Sequence, residues 1–290
     1  SQDMSWFNSI IPLRLPDSIT YTIEITTTDL LNLSTNLAYL FVDKTGGGGS
    51  QGFLLTDDNS TPIISKYSAY IDSIRVENIR NQNTHYHIGF LSHDKSLPLP
   101  PFSLSRIREN IIDVDTTWIW KSDDSSFINT EKEGIYLIGL DSTFANAATF
   151  YKMGDFYPET RTTLSVLEPI QYLQTNREYK KLLQMSNNKL AVDSFWLALS
   201  GNINRSKELI RVYYSRVYFA NKYFSSYKEG WRTDRGMIYT VFGPPSRIYI
   251  SESSERWLYG DSNNLLSMDF YFSKTDHPCL LYTSDAADDL

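Results

Sequence analysis

One stretch, from Tyr218 to Pro245, constrains what this chain can fold into more than any other. It opens with an aromatic segment, Tyr218-Phe219-Ala220-Asn221-Lys222-Tyr223-Phe224, and reaches Gly230 through Tyr227. Polar residues then crowd around Trp231, and the chain leaves through Met237-Ile238-Tyr239-Thr240-Val241-Phe242 to Gly243-Pro244-Pro245. Apolar residues spaced three to four apart predict a helix upstream. The run downstream, read as alternating and closed by Gly-Pro-Pro, predicts a strand. The chain is therefore expected to pass from helix to strand at Trp231. In an architectural reading Gly230 and Gly236 supply positive φ angles and Trp231 plugs the gap between helix and sheet. Thr233 or Asp234 satisfies amides freed at the helix end, and Arg235 pairs with Asp234 or Glu229.

The same residues allow a pocket. Arg232 and Arg235 would bind a carboxylate or phosphate, Trp231 and Tyr227 would stack a flat or sugar-like ring, and Asp234 would act as general base. Asp234 is the candidate catalytic residue. Sequence spacing gives it no nucleophile, metal or second acid, so the catalytic set is incomplete.

Several function classes are set aside by composition. The net charge of −7 disfavours nucleic acid as a partner. No run approaches the ~20 apolar residues of a membrane-spanning helix. The one cysteine, Cys279, lies in a C-terminal stretch, residues 279–290, that reads as translated adapter sequence rather than native chain. The native part is expected to end near Pro278, to be a piece of a longer product beginning before Ser1, and to hold no disulfide, zinc-cysteine site or thiol nucleophile. No cofactor is expected. The Gly46-Gly47-Gly48-Gly49-Ser50 run is followed by a strand-like Phe53-Leu54-Leu55, without the helix and Lys-Ser or Lys-Thr of a phosphate-cradling loop. His85 and His87 share a strand face with His93 nearby, yet that face is opposite Tyr86, Ile88 and Phe90, so it reads as solvent side rather than a metal site. The paired carboxylates Asp123-Asp124 and Glu131/Glu133 sit in polar, turn-like segments.

Two regions follow from the hydrophobic period. From Asp17 to Asp141 the pattern alternates, with Ile19, Tyr21, Ile23 and Ile25 on one face. Further strands are predicted at 37–42, 67–76, 85–91, 116–120 and 134–140. This predicts a mainly β region, an antiparallel β-sandwich of immunoglobulin-like size over residues 1–148. A connector over 149–174 leads to an α+β domain over 175–278, three helices followed by an antiparallel sheet, incomplete at its C-terminus. Thr175 and Glu178 have capping-box spacing. The helices are predicted at 176–185, 189–200 and 205–227, the second ending where Gly201 turns left-handed. Ile210, Tyr213, Tyr214, Val217, Asn221 and Phe224 form the buried face of the third.

Gly230-Trp231-Arg232-Thr233-Asp234 resembles the signature of the GWxTD domain family. The likeness extends to Pro169-Ile170-Gln171-Tyr172-Leu173, Glu178-Tyr179, Asp193-Ser194-Phe195-Trp196, Arg216 to Asn221, Asp234 to Tyr239 and Gly243-Pro244-Pro245, covering about Leu167 to Pro278. The resemblance implies an exported, extracytoplasmic protein of Bacteroidota type, periplasmic or outer-membrane associated, and brings no catalytic residue with it. The leading expectation is a non-enzymatic envelope protein with a structural or interaction role, its partner another envelope protein or a cell-wall polymer. The alternatives are a hydrolase or glycan-processing enzyme with its site at Trp231 to Asp234, and a carbohydrate-binding module using aromatics exposed on the sandwich.

Overall fold

The computed structural model describes residues 13, 20–31, 33–43, 53–63, 67–78, 85–93, 95–99, 114–121, 127–144, 147–251, 253–261, 267–274 and 284–287. They fall into two compact units, Ser1–Gln51 and Gly52–Leu290. The glycine run at 46–50, the turn at 122–126 and most of the 279–290 tail lie outside the described residues.

In the first unit β1 (Thr20–Thr28) pairs antiparallel with β2 (Thr35–Asp43), from Thr20↔Asp43 to Thr28↔Thr35. Asp29 closes the turn, its carboxylate accepting from the Leu31 amide at 2.8 Å. The alternating face expected to be half-buried is only partly so, since Ile25 is exposed. A two-stranded ribbon has no opposing layer of its own.

The second unit begins with β3 (Phe53–Thr56), β4 (Tyr67–Ser68), β5 (Ser73–Asn78), β6 (His85–Leu91), β7 (Thr116–Lys121), β8 (Ile128–Asn129), β9 (Gly134–Gly139) and β10 (Ala148–Lys152). They form a five-stranded sheet ordered β4-β10-β9-β6-β7 and a three-stranded sheet ordered β3-β5-β8. The single strand predicted at 67–76 is two. Ser68 Oγ accepts from the amides of Tyr70 at 3.0 Å and Ile71 at 3.2 Å, turning the chain so that β4 and β5 join different sheets. The β4–β10 pairing is parallel, a departure from the all-antiparallel expectation.

Tyr86, Ile88, Phe90, Tyr136, Ile138 and Phe150, from one face of the larger sheet, share a core with Ile74, Val76 and Ile128 from the smaller one. The opposite face is also a core, containing Leu91, Ile135, Leu137, Tyr151, Met153, Phe144 and Tyr157. The expectation of a solvent-facing histidine side therefore holds only at the strand start. His85 is exposed and His87 half-buried, while Leu91 farther along is buried. His93, past the strand, places Nε2 2.7 Å from the Lys152 carbonyl.

After β10 come α1 (Thr163–Leu167), a 3-10 segment (Glu168–Leu173), α2 (Asn176–Leu183), α3 (Asn188–Ser200), α4 (Ile203–Phe224), a 3-10 turn (Gly230–Arg232) and α5 (Asp234–Phe242). Helices α2, α3 and α4 lie where the period predicts them, and α1 and α5 are additional. The capping box is present, with Thr175 Oγ1 accepting from the Glu178 amide and Glu178 Oε2 from the Thr175 amide. Helix α3 ends at Gly201 with φ 69°. Helix α4 stops at Phe224, three residues before the predicted end, because Ser225 is extended.

The strand predicted over 237–242 is helix α5 instead. A six-residue segment that is apolar except for Thr240 is too short for its period to distinguish a buried strand from a buried helix. What decides is Thr233, whose Oγ1 accepts from the Gly236 amide as N-cap at 3.1 Å, with Asp234 in the first turn. The chain then enters β11 (Arg247–Ile250), β12 (Ser254–Tyr259), β13 (Met268–Lys274) and β14 (Ser284–Ala287), antiparallel in that order. Phe270 and Phe272 are buried against Met237, Ile238 and Trp257, whereas Met268, at the start of the strand, is exposed. The protein is of α+β class. Among the described residues no helix is long and apolar enough to cross a membrane.

Burial pushes the phenols of Tyr157, Tyr172 and Tyr213 well above the usual tyrosine value of 10.0. The unfolded chain therefore releases these protons first as pH rises past 10, and folded-state stability, full below that pH, falls. Each such tyrosine should contribute a loss of about 1.4 kcal/mol per pH unit until its own folded-state titration. Urea unfolding between pH 8 and 11, followed by far-UV dichroism, is expected to show a flat region and then a steep decline. A stability independent of pH over that range would contradict the burial of these hydroxyls.

Candidate functional site

The residues singled out in the sequence meet where α4 ends and α5 begins. Helix α4 presents Asn221, only 2% exposed, at its last buried turn. Its Oδ1 accepts from the Trp231 amide at 3.1 Å and its Nδ2 donates to the Pro158 carbonyl at 3.1 Å. The Tyr157 hydroxyl donates to the Asn221 carbonyl at 3.3 Å and accepts from the Gly230 amide at 3.1 Å. It also contacts Ser225 Oγ. These bonds satisfy backbone groups that the end of α4 and the 3-10 turn would otherwise leave unpaired.

Trp231 is 2% exposed and belongs to the helical core with Leu167, Ile170, Trp196, Tyr213 and Val217. The Tyr172 ring meets it edge-on at 5.6 Å and the Tyr172 hydroxyl donates to the Trp231 carbonyl at 2.9 Å. The Arg232 guanidinium covers the indole at 4.2 Å. Every Arg232 nitrogen has an acceptor: Nε pairs with Glu229 at 2.6 Å, Nη2 with Glu168 at 2.7 Å, and Nη1 donates to the Lys95 carbonyl at 2.7 Å.

Gly230 and Gly236 serve differently from the expectation. Among the described residues positive φ glycines are Gly134, Gly201, Gly243 and Gly260, so neither Gly230 nor Gly236 needs one. They are constrained by approach. A Cβ on Gly230 would run into the Ala220 carbonyl of α4, and one on Gly236 into the Gly230 carbonyl. Three backbone segments thus stack with no side chain between them. Thr233 Oγ1 donates to that same Gly230 carbonyl at 2.8 Å while capping α5.

The other predicted residues do not converge. Arg235 pairs with Glu255 of β12 at 2.9 Å, away from the acceptors of Arg232. Asp234 sits in the first turn of α5, where the helix dipole favours its charge. Tyr227 is half-buried and packs with the sheet-face core of Tyr157, not with Trp231. Gly243 has φ 85°, and its carbonyl accepts from Tyr259 at 2.8 Å as Pro244 and Pro245 lead into β11. A cleft of about 270 Å³ reaches Trp231 and Glu229, but Arg232, Asp234 and Arg235 do not line it. Among the described residues no group of three or more His, Cys, Asp or Glu side chains is placed to hold a metal.

Sequence reasoning missed Tyr157, Glu168 and Glu255. Each reaches the junction from another element, and no local spacing announces it. The carbohydrate-binding alternative calls for coplanar rings exposed on a sheet face. The coplanar pair among the described residues is Phe219 and Tyr223 on α4, at 5° and 5.9 Å.

The fold and this junction define an α+β protein whose helical layer is locked to the end of a β-sheet through a glycine-spaced, tryptophan-centred turn. The chain belongs to the GWxTD domain family, whose model matches residues 134–281. The match opens at β9, so it takes in two strands of the five-stranded sheet together with the helices. No curated protein and no solved structure matches the chain.

Gly236→Ala is expected to cost about 3 kcal/mol, because packed backbone has to separate. Gly201→Ala, at a left-handed position in open space, should cost only about 1 kcal/mol. Equal losses for the two variants in urea unfolding would refute the close-approach account.

Proposed function

We propose that the protein is an exported cell-envelope component of a Bacteroidota-type bacterium, extracytoplasmic, with a non-enzymatic structural or protein-interaction role. Its strand-rich region, with two sheets sharing one core, acts as a sandwich-like platform, and the helices with β11 to β13 form the family-specific part. One observation carries the reading: Arg232, Thr233 and Arg235 at the junction spend their polar groups inside the molecule. Arg232 has all three of its nitrogens engaged, Thr233 caps α5 and Arg235 pairs with Glu255. A hydrolase at this junction would need Asp234 facing a substrate space with a nucleophile or second acid, and the cleft nearby is not lined by it. The exposed aromatic arrangement a sugar-binding sheet would offer lies on a helix instead.

Asp234→Asn discriminates between the scaffold and the enzyme. For the scaffold, the variant loses about 0.5–1 kcal/mol of stability through the α5 N-terminus, and any cellular defect tracks the loss of folded protein. Wild-type stability and yield with a complete loss of cellular function would overturn the scaffold reading. Affinity capture of the full-length protein is expected to recover it from envelope fractions together with other envelope components.

A further inference from the structure

The cleft beside Trp231 has a chemistry that the signature does not use. Its walls come from the end of the sheet, from the Gly154–Ser165 connection and from α4 with the turn that follows. Met153, Leu164 and Trp231 give it an apolar part, and carboxylates dominate the rest. Glu168 and Glu229 share the single Arg232 guanidinium, and Glu159 pairs with Arg161. Glu133 and Asp155 have no protein partner among the described residues, and the one lysine in the lining is Lys95. Glu133 lies directly over Gly154, where a Cβ would come within 2.9 Å of Oε1. His93 adds an acceptor. The Lys152 carbonyl can only accept from Nε2, so in the neutral ring Nδ1 is a lone pair, and it is buried without a partner.

Each feature selects among ligands. Five carboxylates against Arg232, Arg161 and Lys95 leave an excess of negative charge, which repels phosphates and acidic sugars. A metal ion lacks a ligand set among the described residues. The volume, about 270 Å³, falls below the ~300–1,000 Å³ of sites that enclose a drug-sized molecule. It suits one long side chain whose aliphatic stem lies on the apolar wall while its cationic head meets carboxylates.

We propose that this cleft receives a lysine or arginine side chain from a basic segment of a partner protein, with Glu133 and Asp155 as the recognition carboxylates and the His93 lone pair as an added acceptor. The inference rests on the interaction role proposed above and names the chemistry of the partner. A fluorescein-labelled hexa-arginine peptide, titrated against the whole chain at low ionic strength, tests it. Saturable binding is expected, weakened about tenfold by Glu133→Gln combined with Asp155→Asn. The control Asp193→Asn with Glu208→Gln, which removes equal charge from exposed positions on α3 and α4, should leave affinity within about twofold. Equal weakening by both pairs, or no saturable binding, overturns the proposal. If that happens while envelope companions are still captured with the wild-type chain, the interaction role stands and only the cleft assignment falls.

Discussion

The buried amide of Asn221 is the interaction on which the second unit depends. One side chain on α4 holds the Pro158 carbonyl with its donor and the Trp231 amide with its acceptor. It thereby fixes the connection leaving the sheet and the turn entering α5 at the same point. A primary amide can do this because it offers both donors and acceptors in one plane. An aspartate would meet the Pro158 carbonyl with no donor, and a leucine would leave two buried backbone groups unpaired. Tyr157 reinforces the same point from the sheet side, its neutral hydroxyl bonded to Asn221, Ser225 and Gly230.

Charge at the junction is organised by the same economy. Arg232 is buried, so its guanidinium nitrogens require acceptors, and it draws one for each from three separate parts of the chain: Glu168, Glu229 and the Lys95 carbonyl. That arrangement serves cohesion, because donors already held at 2.6–2.7 Å are not free for a ligand. The same carboxylates, half-neutralised, then form one wall of the neighbouring cleft. Architecture and recognition are separated by the width of one guanidinium: its donors face inward to the junction, and the residual negative charge lies beyond it.

How much of this was legible in the sequence depended on the range of the interaction. Helix starts and stops written into adjacent residues were readable, as Thr175 with Glu178 and the glycine ending α3 demonstrate. So was the buried stripe of α4 through Tyr213, Val217 and Asn221. Helix α5 was misread because Met237 to Phe242, apolar except for Thr240, is too short for alternation to be told from a helical period, and its cap is what separates it from a strand. Gly230 and Gly236 were recognised as special for the wrong reason, since the close approach of their backbones to Ala220 and to each other depends on how the chain folds back on itself. The partners Glu168 and Glu255 were invisible, lying 64 and 20 residues from their arginines. The break in the 67–76 strand rests on one serine hydroxyl turning two amides.

The hydroxyl of Tyr157 reaches from the sheet-face core to the amide of Gly230, and this sets where the molecule can be divided. A cut in the polypeptide just before α2 looks natural by composition, but it would remove the phenol that plugs the base of the α4 to α5 turn. The helices would be left with an open socket in place of a hydrogen-bonded floor. The stretch between β10 and α2 is thus less a linker than the foundation slab of the helical layer.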